Sequence, residues 1–197
     1  MYTFENTLRE KGFAAVCGID EAGCGPLAGP VYAAAVILNP DDPIEGLNDS
    51  KKLTEKKREA LYPQIKDRAL AWAIASATAQ EIDEINILQA TYLAMERAMQ
   101  QLSVKPDIAM IDGNRAKDFG LPVRTVIKGD SLSANIAAAS VLAKVTRDDL
   151  MLEQAQNYPQ YKFDVHKGYG TKAHYEALRN YDASPVHRKS FLKRQLE

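Results

Sequence analysis

The chain has 197 residues, 46% of them hydrophobic, and 26 acidic against 25 basic side chains give a formal net charge of −1. That length and ordinary composition suit one domain with a real core, and they exclude a disordered or low-complexity chain. No apolar run approaches bilayer length, no secretory pattern opens MYTFENTLREKG, and two cysteines make neither a zinc spacing nor a disulfide framework, so a reducing cytoplasm is the expected compartment and a membrane is not an expected partner.

Taken in order, AAVCGID (14–20) and VYAAAVIL (31–38) are apolar runs that predict buried strands, joined by the glycine-rich turn EAGCGPLAGP. PDDPIEGLNDS is a loop. Thr54 to about Arg68 carries Lys and Glu spaced for surface pairs, which predicts a polar helix. ALAWAIASAT (69–78) predicts a third strand. Residues 81–102 predict the clearest helix, with Ile82, Ile85, Leu88 (or Gln89), Tyr92, Met95 and Met99 on one apolar stripe that serves core packing.

Pro106 precedes a short strand, DIAMID (107–112), and VRTVIK (123–128) is another, broken by Gly129. Residues 131–151 predict a helix with Asp130 as its N-cap. From Met151 the character changes, with Pro159, aromatics and HKGYGT ahead of a helix near 174–180. The order predicts an α/β fold, a mixed sheet packed by helices, in one domain over 1–197. Residues from about 151 to 197 form a helical appendage to it.

Four acids stand where apolar runs stop beside glycines: Asp20 and Glu21 in GIDEAG, Asp112 in IDGN, and Asp130 in KGDS. One such acid is ordinarily a cap or turn residue. Four gathered at one sheet edge would repel one another, and a divalent cation is the economical way to keep them ionised together. Asp20 and Glu21 are neighbours, and both serve one site only if their strand ends there and the backbone turns. Carboxylates without His or Cys suit Mg²⁺ or Mn²⁺ and disfavour zinc. Two such ions can clamp a phosphodiester for in-line attack by water.

Around these acids, Gly23, Cys24 and Gly25 form a turn whose exposed N–H and C=O groups could meet a ribose hydroxyl or phosphate, although a plain structural turn is the commoner outcome. Lys51 and Lys52 in DSKKLT could meet phosphates or simply solvate a face. Tyr169, between two glycines, offers a ring for stacking on a sugar or base, or else a packed core residue. His166, His174 and His187 lack ligand spacing, and most of them are expected in polar surface or loop roles, with His166, next to the Tyr169 motif, the one worth testing. The near-neutral average hides basic stretches, HRKSFLKRQ and the surroundings of Lys162, Lys167 and Lys172, able to steer a polyanion.

GIDEAGCGPLAGPV, DSKKLT, IDGN, IKGDSLSANIAAASVLAKVTRD and HKGYGT follow one another as they do in bacterial ribonuclease HII, which this chain resembles from about Gly18 to GYGT. The resemblance implies a ribonuclease H-like mixed sheet with a C-terminal helical segment that contributes to substrate binding. It implies an endonuclease acting on RNA–DNA hybrids and 5′ of single ribonucleotides in duplex DNA. It places metal carboxylates on Asp20, Glu21, Asp112 and Asp130, a ribose-sensing turn on Gly23, Cys24 and Gly25, and a junction-sensing ring on Tyr169.

With only about a dozen residues before the first strand, the type II enzymes fit better than type III, and nothing demands more than a monomer. One departure stands out: the family usually carries Arg where this chain has Cys24, which removes a side-chain phosphate contact and leaves the main-chain contacts available. Two competing readings are a catalytically silent hybrid-binding module and a metal enzyme for small phosphate esters. The turn and Tyr169 weigh against the second of these.

Overall fold

The computed structural model describes residues 1–192; the end of the basic tail, 193–197, lies outside them. Among the described residues five strands form one sheet, β1 (Val16–Ala22), β2 (Val31–Leu38), β3 (Ala69–Ala77), β4 (Ile108–Asp112) and β5 (Val123–Val126), in the order β3-β2-β1-β4-β5. The β1–β2 and β2–β3 pairs are antiparallel, and β1–β4 and β4–β5 are parallel. The mixed α/β sheet expected from the sequence is therefore present.

Alternation along β1 sorts its side chains between two layers. Cys17 and Ile19, with Ala109 and Ile111 of β4, pack against α3 (Ala79–Gln100). On the opposite face, Ala34, Val36 and Leu38 pack against the alanine-rich α5 (Ala134–Asn157) and α2 (Glu55–Arg68). Small residues let α5 lie close to the sheet. At Gly18 a Cβ would stand 2.3 Å from the backbone carbon of Asn135, so only glycine admits the helix there. Asn135 completes the join: its Nδ2 donates to Val16 O at 2.6 Å and its Oδ1 accepts from Leu38 N at 3.3 Å.

Three local expectations are corrected. The strand expected at 14–20 runs on to Ala22, so Asp20 and Glu21 both lie within it, opposite Ala34 and Ala33. The α3 stripe breaks at Asn86, whose backbone (φ 67°, ψ 164°) is not helical and whose Oδ1 accepts from Gln89 N, capping the second half. That kink leaves Ile82, Tyr92, Met95 and Met99 buried but Ile85 and Leu88 exposed. The helix expected at 131–151 is two: α4 (Gly129–Leu132) and α5, which runs on to Asn157. Ser133 caps α5 by accepting from Ile136 N, so Asp130 is not the N-cap and instead sits inside α4.

The first helix, α1 (Thr3–Glu10), buries Glu5 against the start of α5, where its Oε1 accepts from Ser133 Oγ at 2.6 Å and Asn135 N at 3.0 Å. A carboxylate suits that helix start, where amides lack intrahelical partners. The C-terminal layer, α6 (Phe163–His166), α7 (Lys172–Tyr181) and α8 (Lys189–Leu192), packs on Leu27, Ala28 and Met151. Among the described residues, no helix is long and apolar enough to cross a membrane.

Candidate active site

Parallel pairing in register (Ile19 with Ile111) places the ends of β1 and β4 side by side. The next residues are Asp20 and Asp112, on the face that α5 covers. The turn after β5 then brings up Asp130 on α4. Oxygens of Asp20, Asp112 and Asp130 lie within 4.8 Å of one another. The group is held from below: Asp112 Oδ1 accepts from Gly129 N at 2.6 Å, and Asp20 Oδ1 accepts from Glu21 N at 2.7 Å.

Electrostatics follow from the packing. Burial raises the Asp20 carboxyl well above its ordinary value, and repulsion from Glu21 and Asp112 adds to it. Asp130 is raised by burial and by Asp112 and Asp49. Lys51 stands among these acids; burial alone would lower it, but Asp20, Asp49, Asp130 and Asp112 together raise it. An oxygen-only donor set with this much mutual repulsion fits a hard divalent cation and does not fit zinc.

Glu21 differs from the other three. As the strand neighbour of Asp20 it leaves on the α3 face, and its carboxylate is not within the close trio. It still borders the site: burial, then Asp112, raises it, and Lys51 opposes them.

Glu21, Gly23, Cys24, Gly25, Lys51 and Tyr169, all singled out from sequence, line one cleft of about 200 Å³. A second cleft of about 300 Å³ on the α3 side shares Glu21 and Cys24 and reaches Asp112 and the exposed Leu88. Gly23 needs its glycine, with φ +102° and a Cβ position 2.2 Å from Arg147 Nε. Gly25 has room for a side chain, since a Cβ there would meet Tyr169 Cε1 at an ordinary 3.7 Å. Tyr169 is 45% exposed, so its ring is open for stacking rather than packed. Lys52 is not in the cleft; it points to Ser131 Oγ at 2.8 Å and to Asp49.

Cys24 is half-buried, its Sγ 3.4 Å from Thr91 Oγ1 and 3.8 Å from Glu21 Oε1. Burial and Glu21 push the thiol up to about 11, which keeps it protonated and poorly nucleophilic at neutral pH.

The histidines are not surface residues. His166, His174 and His187 are buried together, with His166 and His174 stacked at 4.5 Å. Ser184 N donates to His187 Nδ1, which leaves the His187 Nε2–H to donate to His174 Nε2 at 2.9 Å and the His174 Nδ1–H to donate to Tyr169 O at 2.9 Å. All three are held below their ordinary range by burial, His187 to about 4 with His174 adding to it. The stack thus fixes the backbone of Tyr169.

Sequence reasoning also missed Ser140, Lys144 and Arg147 in the cleft, and Arg188 behind it. Arg147 and Arg188 are 1% and 0% exposed, and among the described residues neither has a carboxylate within ion-pair distance. Arg147 donates to Pro30 O (3.2 Å), Lys167 O (3.1 Å) and Ala28 O (3.1 Å). Arg188 donates to Gly29 O (2.9 Å), Cys24 O (3.1 Å) and Gly23 O (2.6 Å). Burying an unpaired ion costs several kcal/mol. Three hydrogen bonds from a charged donor, at about 1.5–3 kcal/mol each, offset that cost only if all are made. VTRD was visible as part of a motif and HRKSFLKRQ as a basic stretch, but nothing local marks their Arg147 and Arg188 as buried.

Grouped acids at the ends of adjacent parallel strands, under a glycine turn, define a metal-dependent nuclease built on a ribonuclease H-like fold. The family model for Ribonuclease HII matches residues 17–194. Ribonuclease HII of Dechloromonas aromatica (strain RCB) is 62% identical over 176 residues, covering 89% of this chain and 90% of that protein. Ribonuclease HII of Idiomarina loihiensis is 57% identical over 176 residues, covering 89% of this chain and 94% of that protein. Among solved structures, ribonuclease H2 from Pyrococcus horikoshii OT3 superposes with a TM-score of 0.74 at 29% identity, over 89% of this chain and 92% of that one. The chain belongs to the ribonuclease HII family, and it is a metal-dependent ribonuclease H of type II.

Proposed function

We propose that this enzyme cuts RNA in RNA–DNA hybrids and incises duplex DNA on the 5′ side of single ribonucleotides, leaving 3′-hydroxyl and 5′-phosphate ends. The observation that carries this reading is a cleft that holds the Gly23–Gly25 turn and the open Tyr169 ring together with Glu21 and Lys51, the two charged groups that border the acidic trio. A small phosphate ester needs no such extent.

Asp20, Asp112 and Asp130 would hold the cations from one face of the sheet, with Glu21 joining from the other. Two divalent ions, Mg²⁺ or Mn²⁺, would when bound supply activation of the attacking water and neutralisation of the departing oxygen. The protein's own groups do the rest. Lys51, kept charged by its acidic neighbours, meets a phosphate of the cut strand. Main-chain groups of Gly23, Cys24 and Gly25 meet the 2′-hydroxyl. The Tyr169 ring stacks on the deoxyribose that follows, and the histidine stack keeps that ring's backbone still. Since the connections between α6 and α7 and ahead of α8 supply Tyr169 and Arg188, the segment from about 151 works as part of one catalytic domain. We place that domain, as a monomer, in the cytoplasm.

Incubation with Mg²⁺ and a duplex holding one ribonucleotide tests the reading. One nick 5′ of the ribonucleotide, ending in a 3′-hydroxyl and absent with EDTA or an all-DNA duplex, is the expected result. A folded protein that binds this duplex without cutting it in Mg²⁺ or Mn²⁺ would be a silent binding module.

A further inference from the structure

We propose that Arg188, backed by Arg147, is a positioning residue that sets how well the Gly23–Cys24–Gly25 turn tells ribose from deoxyribose. The proposal rests on the reading of that turn as the ribose sensor.

Every peptide bond among the described residues is trans, so each carbonyl and the N–H of the same peptide plane point in opposite directions. Arg188 draws two successive carbonyls, Gly23 O and Cys24 O, inward onto one guanidinium. The N–H of Cys24 and the N–H of Gly25 are thereby turned away from the arginine, on residues that line the cleft. Neither amide donates to a protein group among the described residues, as buried or structural amides nearly always do. Two free donors side by side are suited to an oxygen, and the 2′ position of ribose offers one that deoxyribose lacks.

The arginine cannot drift. Its own amide donates to Leu27 O at 2.9 Å. Just beyond it, Asp83 of α3 grips the start of α8 through Lys189 N (2.9 Å), Ser190 N (2.8 Å) and Ser190 Oγ (2.6 Å). Arg147 packs so closely under Gly23 that a Cβ there would strike its Nε, so turn and arginine fix each other's place. Burial and the nearby Arg147 charge bring Arg188 down to about 9, and it stays charged at neutral pH. Lysine carries the same charge without the planar fork, so it cannot orient both peptide planes at once.

The test is steady-state incision of the single-ribonucleotide duplex in Mg²⁺, with the all-DNA duplex of the same sequence as competitive inhibitor. The parent enzyme should show a KM well below the inhibitor's Ki. For Arg188→Lys, KM should rise about tenfold toward Ki, the loss of roughly one good hydrogen bond, while Ki stays within about twofold. A merely structural role would move both constants together or neither. A folded Arg188→Lys that keeps the parent ratio of KM to Ki overturns the proposal. Equal KM and Ki in the parent enzyme would sink the ribose-sensing turn itself, and the proposal with it. Should Arg188→Lys fail to fold, ¹⁵N amide shifts decide: the Cys24 and Gly25 signals should move with the ribonucleotide duplex and not with its deoxy counterpart, and Arg147→Lys should diminish that difference. Unaltered shifts in Arg147→Lys would overturn it.

Discussion

The sheet edge at Asp20 and the turn from Gly23 to Pro30 adjoin each other and are built on opposite principles. At the edge, like charges face one another and burial forces their protonation equilibria upward. In the turn, Arg147 and Arg188 engage five main-chain carbonyls, those of Gly23, Cys24, Ala28, Gly29 and Pro30. The edge is left in conflict that only added positive charge relieves. The turn is finished before any ligand arrives. On the proposed reading, the site keeps its recognition element rigid while concentrating its electrostatic strain where chemistry is to occur.

Removing one acid should break the contrast most visibly. Asp112→Asn keeps the shape and the hydrogen bond from Gly129 N but not the charge, and turnover in Mg²⁺ should fall by at least about a thousandfold with substrate affinity partly retained. Normal cleavage by this variant, measured with the single-ribonucleotide duplex, would remove Asp112 from the metal set.

A smaller effect concerns stability. Asp20, Glu21 and Asp130 have folded values raised above their unfolded ones, so between about pH 4 and those raised values the folded state binds the more protons. Without metal, their contribution to stability is best on the acid side of that window and declines as pH rises through it. The three histidines work oppositely: their folded values are lowered, so their contribution is intact above about pH 6.5 and is lost as pH falls. Asp20→Asn separates the two. In EDTA its melting temperature should exceed the parent's by several degrees at pH 8, at about 2–4 °C for each kcal/mol recovered, with the gap closing toward pH 5. Mg²⁺ should raise the parent's midpoint at pH 8 and hardly move the variant's. Coincident melting curves at pH 8 would show that the edge carries no such strain.

The smallest effect sharpens the other half of the comparison. Cys24→Arg adds a side chain beside a backbone that is already set, so it should tighten duplex binding at low salt and steepen the salt dependence by about one unit. Unchanged affinity across a salt titration would mean that the position makes no phosphate contact.

The strands were legible because each is a bounded apolar run, and Asp20 and Asp112 because each follows such a run directly. Asp130 was found as an acid beside Gly129 but given the wrong local task, since Ser133, three residues further on and directly ahead of α5, does the capping. The face that Glu21 takes was hidden because it depends on how far β1 continues, and strand ends are set by pairing with β2 rather than by residue type. Asn86 was the one visible hint of the α3 kink, a side chain that competes for backbone bonds inside a helical pattern. The buried histidines and arginines left no local trace. Arg188 is buried because carbonyls 159 to 165 positions earlier fill its fork, and polar residues are ordinarily assigned to the surface until such partners are known.

Glu5 and Met1 carry a practical consequence. The main-chain oxygen of Met1 accepts from Ala134 N at 3.0 Å, and Glu5 occupies the adjoining donors on Ser133 and Asn135. The opening ten residues thus act as a plug in the end of the longest helix, one residue beyond the short helix that bears Asp130. Trimming them, or crowding them with a purification tag, should loosen the acidic cluster from behind without altering a single side chain in it.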